Sequence, residues 1–129
     1  MKRSRTNGFT FVELLVVVSI IGIIFAAGVV SFTSLTVRSR DTRRKADLEV
    51  IRQALEMCRS LTAKYPDDII GDVTCGVGGT VLLTKTPEDP KPCGTPAVST
   101  YTYSRSSDTV YTLSAPCMEI DTTYQVTNP

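Results

Sequence analysis

Gly8-Phe9-Thr10-Phe11-Val12-Glu13-Leu14-Leu15 leads into residues 14–37, a run of 24 residues without a charged side chain. As an α-helix at about 1.5 Å per residue such a run measures about 36 Å, enough to cross a hydrocarbon layer about 30 Å thick. From Leu14 to Val30 it is apolar on every face, which excludes an amphipathic surface helix. Its valines and isoleucines suit a strand, but strands rarely pass about 10 residues, so length decides for a membrane-spanning helix. One charge sits at its edge. A carboxylate inside a span costs on the order of 3 kcal/mol on insertion scales, so Glu13 asks for a reason, and its place one turn from the interface, where it could snorkel or protonate, is one.

Outside the run the charges separate. Residues 38–64 carry eight basic and four acidic side chains, net +4, and residues 65–129 three basic and eight acidic, net −5. The overall +1 of the 129-residue chain is therefore a sum of unlike parts, which argues against a uniformly basic nucleic-acid binder. Histidine is absent, so Ser-His-Asp and Cys-His catalysis are excluded. No Cys-x-x-Cys redox pair and no Gly-x-x-x-x-Gly-Lys phosphate loop occurs. No catalytic residue is assigned, and an enzyme is not expected.

The string Gly8 to Leu15, preceded by the short basic stretch Met1 to Asn7, resembles the N-terminus of type IV pilin and pseudopilin precursors. That resemblance implies a leader peptide, residues 1–8, cut by a prepilin peptidase between Gly8 and Phe9, with methylation of the new Phe9 amine. It also implies a role in assembly for Glu13, whose carboxylate would pair with the Phe9 ammonium of a neighbouring subunit. In a low-dielectric setting that pairing offsets part of the desolvation of both charges. Gly22 stands where the family has a helix-loosening glycine, but Val30 replaces the proline usual eight residues later. The rival is a membrane-anchored exported domain with an ordinary signal peptide or signal anchor and a redox or binding role. Phe25-Ala26-Ala27-Gly28 offers a signal peptidase small residues, yet the apolar stretch before it exceeds the usual 7 to 15 residues or so.

Beyond the span, Leu48, Ile51, Leu55, Cys58 and Leu61, with Ala54, recur at spacings of three and four and form one stripe of an amphipathic helix, which Tyr65-Pro66 stops. The string Arg40 to Glu56 also resembles the stalk of small pilins and the major pseudopilin of type II secretion. Residues 65–129 read as short strands and loops: Thr80 to Leu83; a hairpin of Tyr101 to Tyr103 and Val110 to Leu113 around Ser104 to Asp108; and a strand within Ile120 to Val126. The expected fold class is α+β. By resemblance it is a pilin-like lollipop, with a transmembrane or filament-core helix (9–37), an amphipathic stalk helix (38–64) and a small β-rich head (65–129) whose antiparallel sheet packs on 46–64.

Four cysteines in a small exported domain read as two disulfides with three possible pairings. The hairpin brings Cys93 and Cys117 together, which leaves Cys58 for Cys75. Structural zinc is not expected, since no histidine accompanies the cysteines. No cofactor is expected either, although Asp67, Asp68 and Asp72, or Glu88 with Asp89, leave calcium in the head open. The basic cluster Arg38, Arg40, Arg43, Arg44 and Lys45 suits phosphates or anionic headgroups, or the acidic heads of neighbouring subunits, and the last is preferred. Counting positive charges either side of the span puts the C-terminus in the cytoplasm. The cysteines and leader motif point the other way and prevail.

The expected protein is a filament subunit. It waits as a single-pass protein of the inner (cytoplasmic) membrane with its head outside, then enters a cell-surface or periplasmic filament. Its implied partners are the prepilin peptidase, identical or related subunits, an assembly ATPase and a platform protein. Nucleic acid is a partner only for a DNA-uptake pilin. Major pilin, minor pilin and secretion pseudopilin stay undivided.

Overall fold

The structure, a computed structural model, describes residues 8–76 and 78–128. One α-helix, α1, runs from Phe11 to Thr62. Two antiparallel sheets follow: β1 (Val73–Cys75) with β2 (Thr80–Leu83), and β3 (Thr102–Ser107), β4 (Val110–Ala115) and β5 (Tyr124–Thr127) in the order β3-β4-β5. The expected α+β class, with a long apolar N-terminal helix, small antiparallel sheets and two disulfides, is what the chain adopts.

By its contacts the chain divides into residues 1–36 and 37–129. In the first unit the described side chains of α1 are exposed on every side, as nothing in the unit covers them, and the helix is long and apolar enough to cross a membrane. It stays α-helical through Gly22 and Val30. With no proline at position 30 the intrahelical bonds can run on unbroken.

In the second unit α1 has one buried face. Leu48, Ile51 and Leu55 are fully buried and Cys58 and Ala54 nearly so. Leu48, Ile51, Ala54 and Leu55 pack in one cluster with Tyr65, Ile69, Val73, Tyr101, Tyr111, Leu113, Ala115 and Val126. Strand β4 supplies the core by simple alternation, with Tyr111, Leu113 and Ala115 inward. Buried tyrosines need partners for their hydroxyls, and they find them on the helix: Tyr65 donates to Glu56 at 2.9 Å and Tyr101 to Asp47 at 2.7 Å. The rings of Tyr65 and Tyr111 meet edge to face at 4.6 Å.

Four details depart from the sequence reading. Leu61, placed on the core stripe by its spacing, is 62% exposed. From Cys58 the buried face has one turn left before the helix ends, and a step of three carries Leu61 off it. The helix stops earlier than Pro66: Ala63 takes a left-handed φ of 60° and its N–H bonds to the Arg59 carbonyl at 2.8 Å, a single-bond left-handed terminus. Strand β3 continues through the polar residues to Ser107, with a bulge after Arg105, so the turn shrinks to Asp108-Thr109. The last strand begins at Tyr124, and Ile120 lies outside it, exposed. Strand β1, three residues long, is too short to signal itself by alternation.

Burial sets a sharp contrast within the one stripe. Leu55→Ala should destabilise the fold by about 2 to 5 kcal/mol, whereas Leu61→Ala should stay within about 0.5 kcal/mol of wild type. Urea unfolding followed by circular dichroism checks both.

Candidate functional site

Residues 8–13 form a tight start to α1. The Thr10 N–H and hydroxyl both donate to Oε2 of Glu13 at 2.9 Å, and the Glu13 N–H donates to the Thr10 hydroxyl oxygen at 3.2 Å. This is a reciprocal capping box: threonine and glutamate three apart satisfy donors that a helix start leaves orphaned. The spacing is a sequence signal, yet Thr10 is a residue the sequence analysis does not single out. Gly8 and Phe9 precede the helix in an exposed, non-helical segment. Behind the cap, Ile21, Ile24, Phe25, Gly28, Val29 and Phe32 line a shallow apolar groove, open where Gly28 lacks a side chain. The arrangement has no nucleophile or base. It presents a capped carboxylate, a short exposed non-helical segment and an apolar helix.

The basic cluster has a different fate from the one expected. Arg44 is fully buried, and all five of its donors are used. Its Nε and Nη2 grip both oxygens of Asp89 at 2.7 and 2.8 Å, its Nη1 reaches Asp41 at 2.7 Å and Glu119 at 3.3 Å, and Nη2 also donates to the Lys91 carbonyl at 3.2 Å. Arg40 bonds Glu119 at 2.5 and 2.7 Å and Lys45 bonds Asp121 at 3.0 Å. Asp41 in turn accepts the Glu119 and Ile120 N–H groups at 3.0 and 2.9 Å. Much of the complementarity between the +4 and −5 segments is thus spent inside one chain. Arg38 and Arg43 stay exposed and make no ion pair among the described residues.

Hydrogen bonding to Asp89 outweighs burial and holds the Arg44 guanidinium well above its ordinary value. Hydrogen bonding to Arg40, with Lys91 and Arg44, overcomes the opposing effect of burial and brings Glu119 down to about 2 from an ordinary 4.5. Burial pushes Asp41 up, but the two N–H groups and Arg44 prevail and hold it below 3.8.

Four of the carboxylates considered for calcium have partners within the chain. Asp67 pairs with Arg105, Asp68 accepts the Ile69 and Ile70 N–H groups, Asp72 accepts the Lys85 N–H, and Asp89 belongs to Arg44. Among the described residues no group of three or more His, Cys, Asp or Glu converges on a point that would suit a metal. The cysteines are joined as Cys58–Cys75, tying α1 to β1, and Cys93–Cys117, each with Cα atoms 5.5 Å apart.

Residues 3–29 match the prokaryotic N-terminal methylation motif. The chain is 32% identical over 92 residues to the type IV major fimbrial protein FimA of Dichelobacter nodosus, covering 68% of this chain and 59% of that protein. It is 36% identical over 66 residues to the type II secretion system core protein G of Pseudomonas aeruginosa, covering 51% of this chain and 46% of the relative. It is 35% identical over 63 residues to the type IV major pilin protein PilA of Myxococcus xanthus, covering 49% and 29% respectively. The chain thus spans less than two thirds of each of these relatives. No solved structure matches.

The ionic cluster makes the fold sensitive to acid. Carboxylates whose folded pKa is lowered add stability that is complete above their unfolded values and is lost as pH falls through the folded ones. The thermal midpoint should therefore drop between pH 4.5 and about 2. Glu119→Gln should flatten that drop, as melting curves at constant ionic strength would show; parallel wild-type and variant profiles would count against the assignment.

Proposed function

The chain belongs to the type IV pilin and pseudopilin family, and from that premise we propose that it is a structural, non-enzymatic filament subunit that assembles through α1. The supporting observation is the pairing of a capped carboxylate, Glu13, with a helix whose N-terminal half is uncharged beyond it and mostly apolar, its described side chains exposed. An apolar helix of that length has two stable surroundings, a bilayer or the packed helices of other subunits. The subunit is anchored in the membrane by this helix and then passes from the first setting to the second. Assembly of identical subunits head to tail, by contacts that do not close, gives an open helical filament.

Processing precedes assembly. The prepilin peptidase cuts between Gly8 and Phe9 and the Phe9 amine is methylated, which leaves an ammonium four residues before Glu13. On docking, the Glu13 carboxylate of an incoming subunit pairs with the Phe9 ammonium of a neighbour, both being desolvated together. An assembly ATPase and platform protein supply the force, and no cofactor is needed in this role.

Mass spectrometry of the mature protein should find a methylated N-terminus at Phe9; a start at Gly28 would establish the signal-peptide alternative. Glu13→Leu tests the docking step. Removing one partner of a desolvated pair costs about 3 to 5 kcal/mol, a hundredfold or more in docking. Sheared filaments should vanish on immunoblots while cleaved, membrane-bound subunits persist. Normal filament yield from the variant would reduce Glu13 to an incidental charge.

A further inference from the structure

The pairing of the four cysteines is not explained by chain statistics. The native bridges join residues 17 and 24 apart. Cys75 and Cys93 are 18 apart. Loop closure scales with about the three-halves power of length, so Cys75–Cys93 should form almost as readily as Cys58–Cys75 and about 1.5-fold more readily than Cys93–Cys117. Once it forms, only Cys58 and Cys117, at the far ends of the set, remain to be joined. The β3–β4 hairpin between them turns the chain back, and contacts outside the hairpin must then hold Cys93 against Cys117.

Arg44 sits where such a device is needed. Asp89 and Lys91 lie four and two residues before Cys93, and Glu119 lies two residues after Cys117. The guanidinium binds all three, through both oxygens of Asp89, the carbonyl of Lys91 and Oε1 of Glu119. Asp41, one turn earlier on α1, fixes the same segment after Cys117 by accepting the Glu119 and Ile120 N–H groups. The segment before Cys117 is closed by backbone bonds, Asp89 N–H to Ser99 and the mutual pair of Cys93 and Val98. The two cysteines are thus flanked by groups that converge on a single side chain of the helix. These groups are charged or polar whether or not the sulfurs are joined, so they can act on the open chain.

We propose that Arg44 selects the disulfide pairing, gathering the chain on either side of Cys93 and Cys117 onto α1 before the thiols are joined. The oxidant is a disulfide. The thiolate of Cys93 or Cys117 attacks it, forming a mixed disulfide and releasing one thiol; the second thiolate displaces the other. Two electrons pass to the oxidant, and the two cysteine protons end on its two released thiols. Arg44 takes no part in the exchange and acts only by position.

The test follows the first bridge formed. Full-length chain in detergent micelles, reduced and unfolded in urea, is diluted into oxidised glutathione, trapped early by alkylation and mapped by non-reducing peptide mass spectrometry. Among species with one bridge, wild type should show Cys93–Cys117 in excess over Cys75–Cys93. In Arg44→Met the order should reverse toward the statistical preference of about 1.5-fold for Cys75–Cys93. This readout precedes completion of the fold, so a variant that never completes it still reports. The same excess in Arg44→Met as in wild type, or no excess in wild type, would overturn the proposal. Neither outcome depends on whether the chain enters a filament.

Discussion

One helix has to satisfy two different surroundings. From Phe11 to Thr36 the described side chains of α1 are exposed, whereas from Asp41 to Cys58 one face is closed over by the strands and loops that follow. Helix propensity alone does not hold such a length in water, since most helical stability comes from burying a face. The second half takes that burial from residues 65–126, and the first half has to take it from outside the chain. The rest of the molecule follows from this division.

The folded part is small, so its core needs help. Fewer than 100 residues supply it, with about a dozen buried apolar side chains in the cluster. Two disulfides tie strand to helix and loop to loop. Tyrosines extend the core while lending hydroxyls to Glu56 and Asp47, so that bulk is gained without stranding a polar group. The Arg44 cluster fills the end of the core nearest the apolar half with charge instead of hydrocarbon, a choice tolerable only because every donor is matched.

What could be read from the sequence was what periodicity and length encode. The uncharged run from Leu14 to Val37 announces a span, and Leu48, Ile51, Leu55 and Cys58 announce a buried stripe, because each rests on repetition over many residues. Leu61 obeys the same spacing and is exposed, since spacing does not say where the covering sheet ends. Ala63 adopts a conformation that glycine usually signals, so nothing in its identity marks the helix terminus. Arg44 reads as one of five solvated cations. Its burial depends on Asp89 and Glu119, 45 and 75 residues away, a contact that no local pattern records. The Thr10 cap, by contrast, was present in the four residues Thr10 to Glu13.

That cap alters how the proposed docking is to be understood. Glu13 does not arrive as a bare charge in search of any cation; it already holds two hydrogen bonds from Thr10. Docking is then an exchange of partners, and the discrimination it achieves is the difference between two bound states. A subunit released from the proposed contact would still have its carboxylate held by Thr10, so the charge is not stranded in either setting.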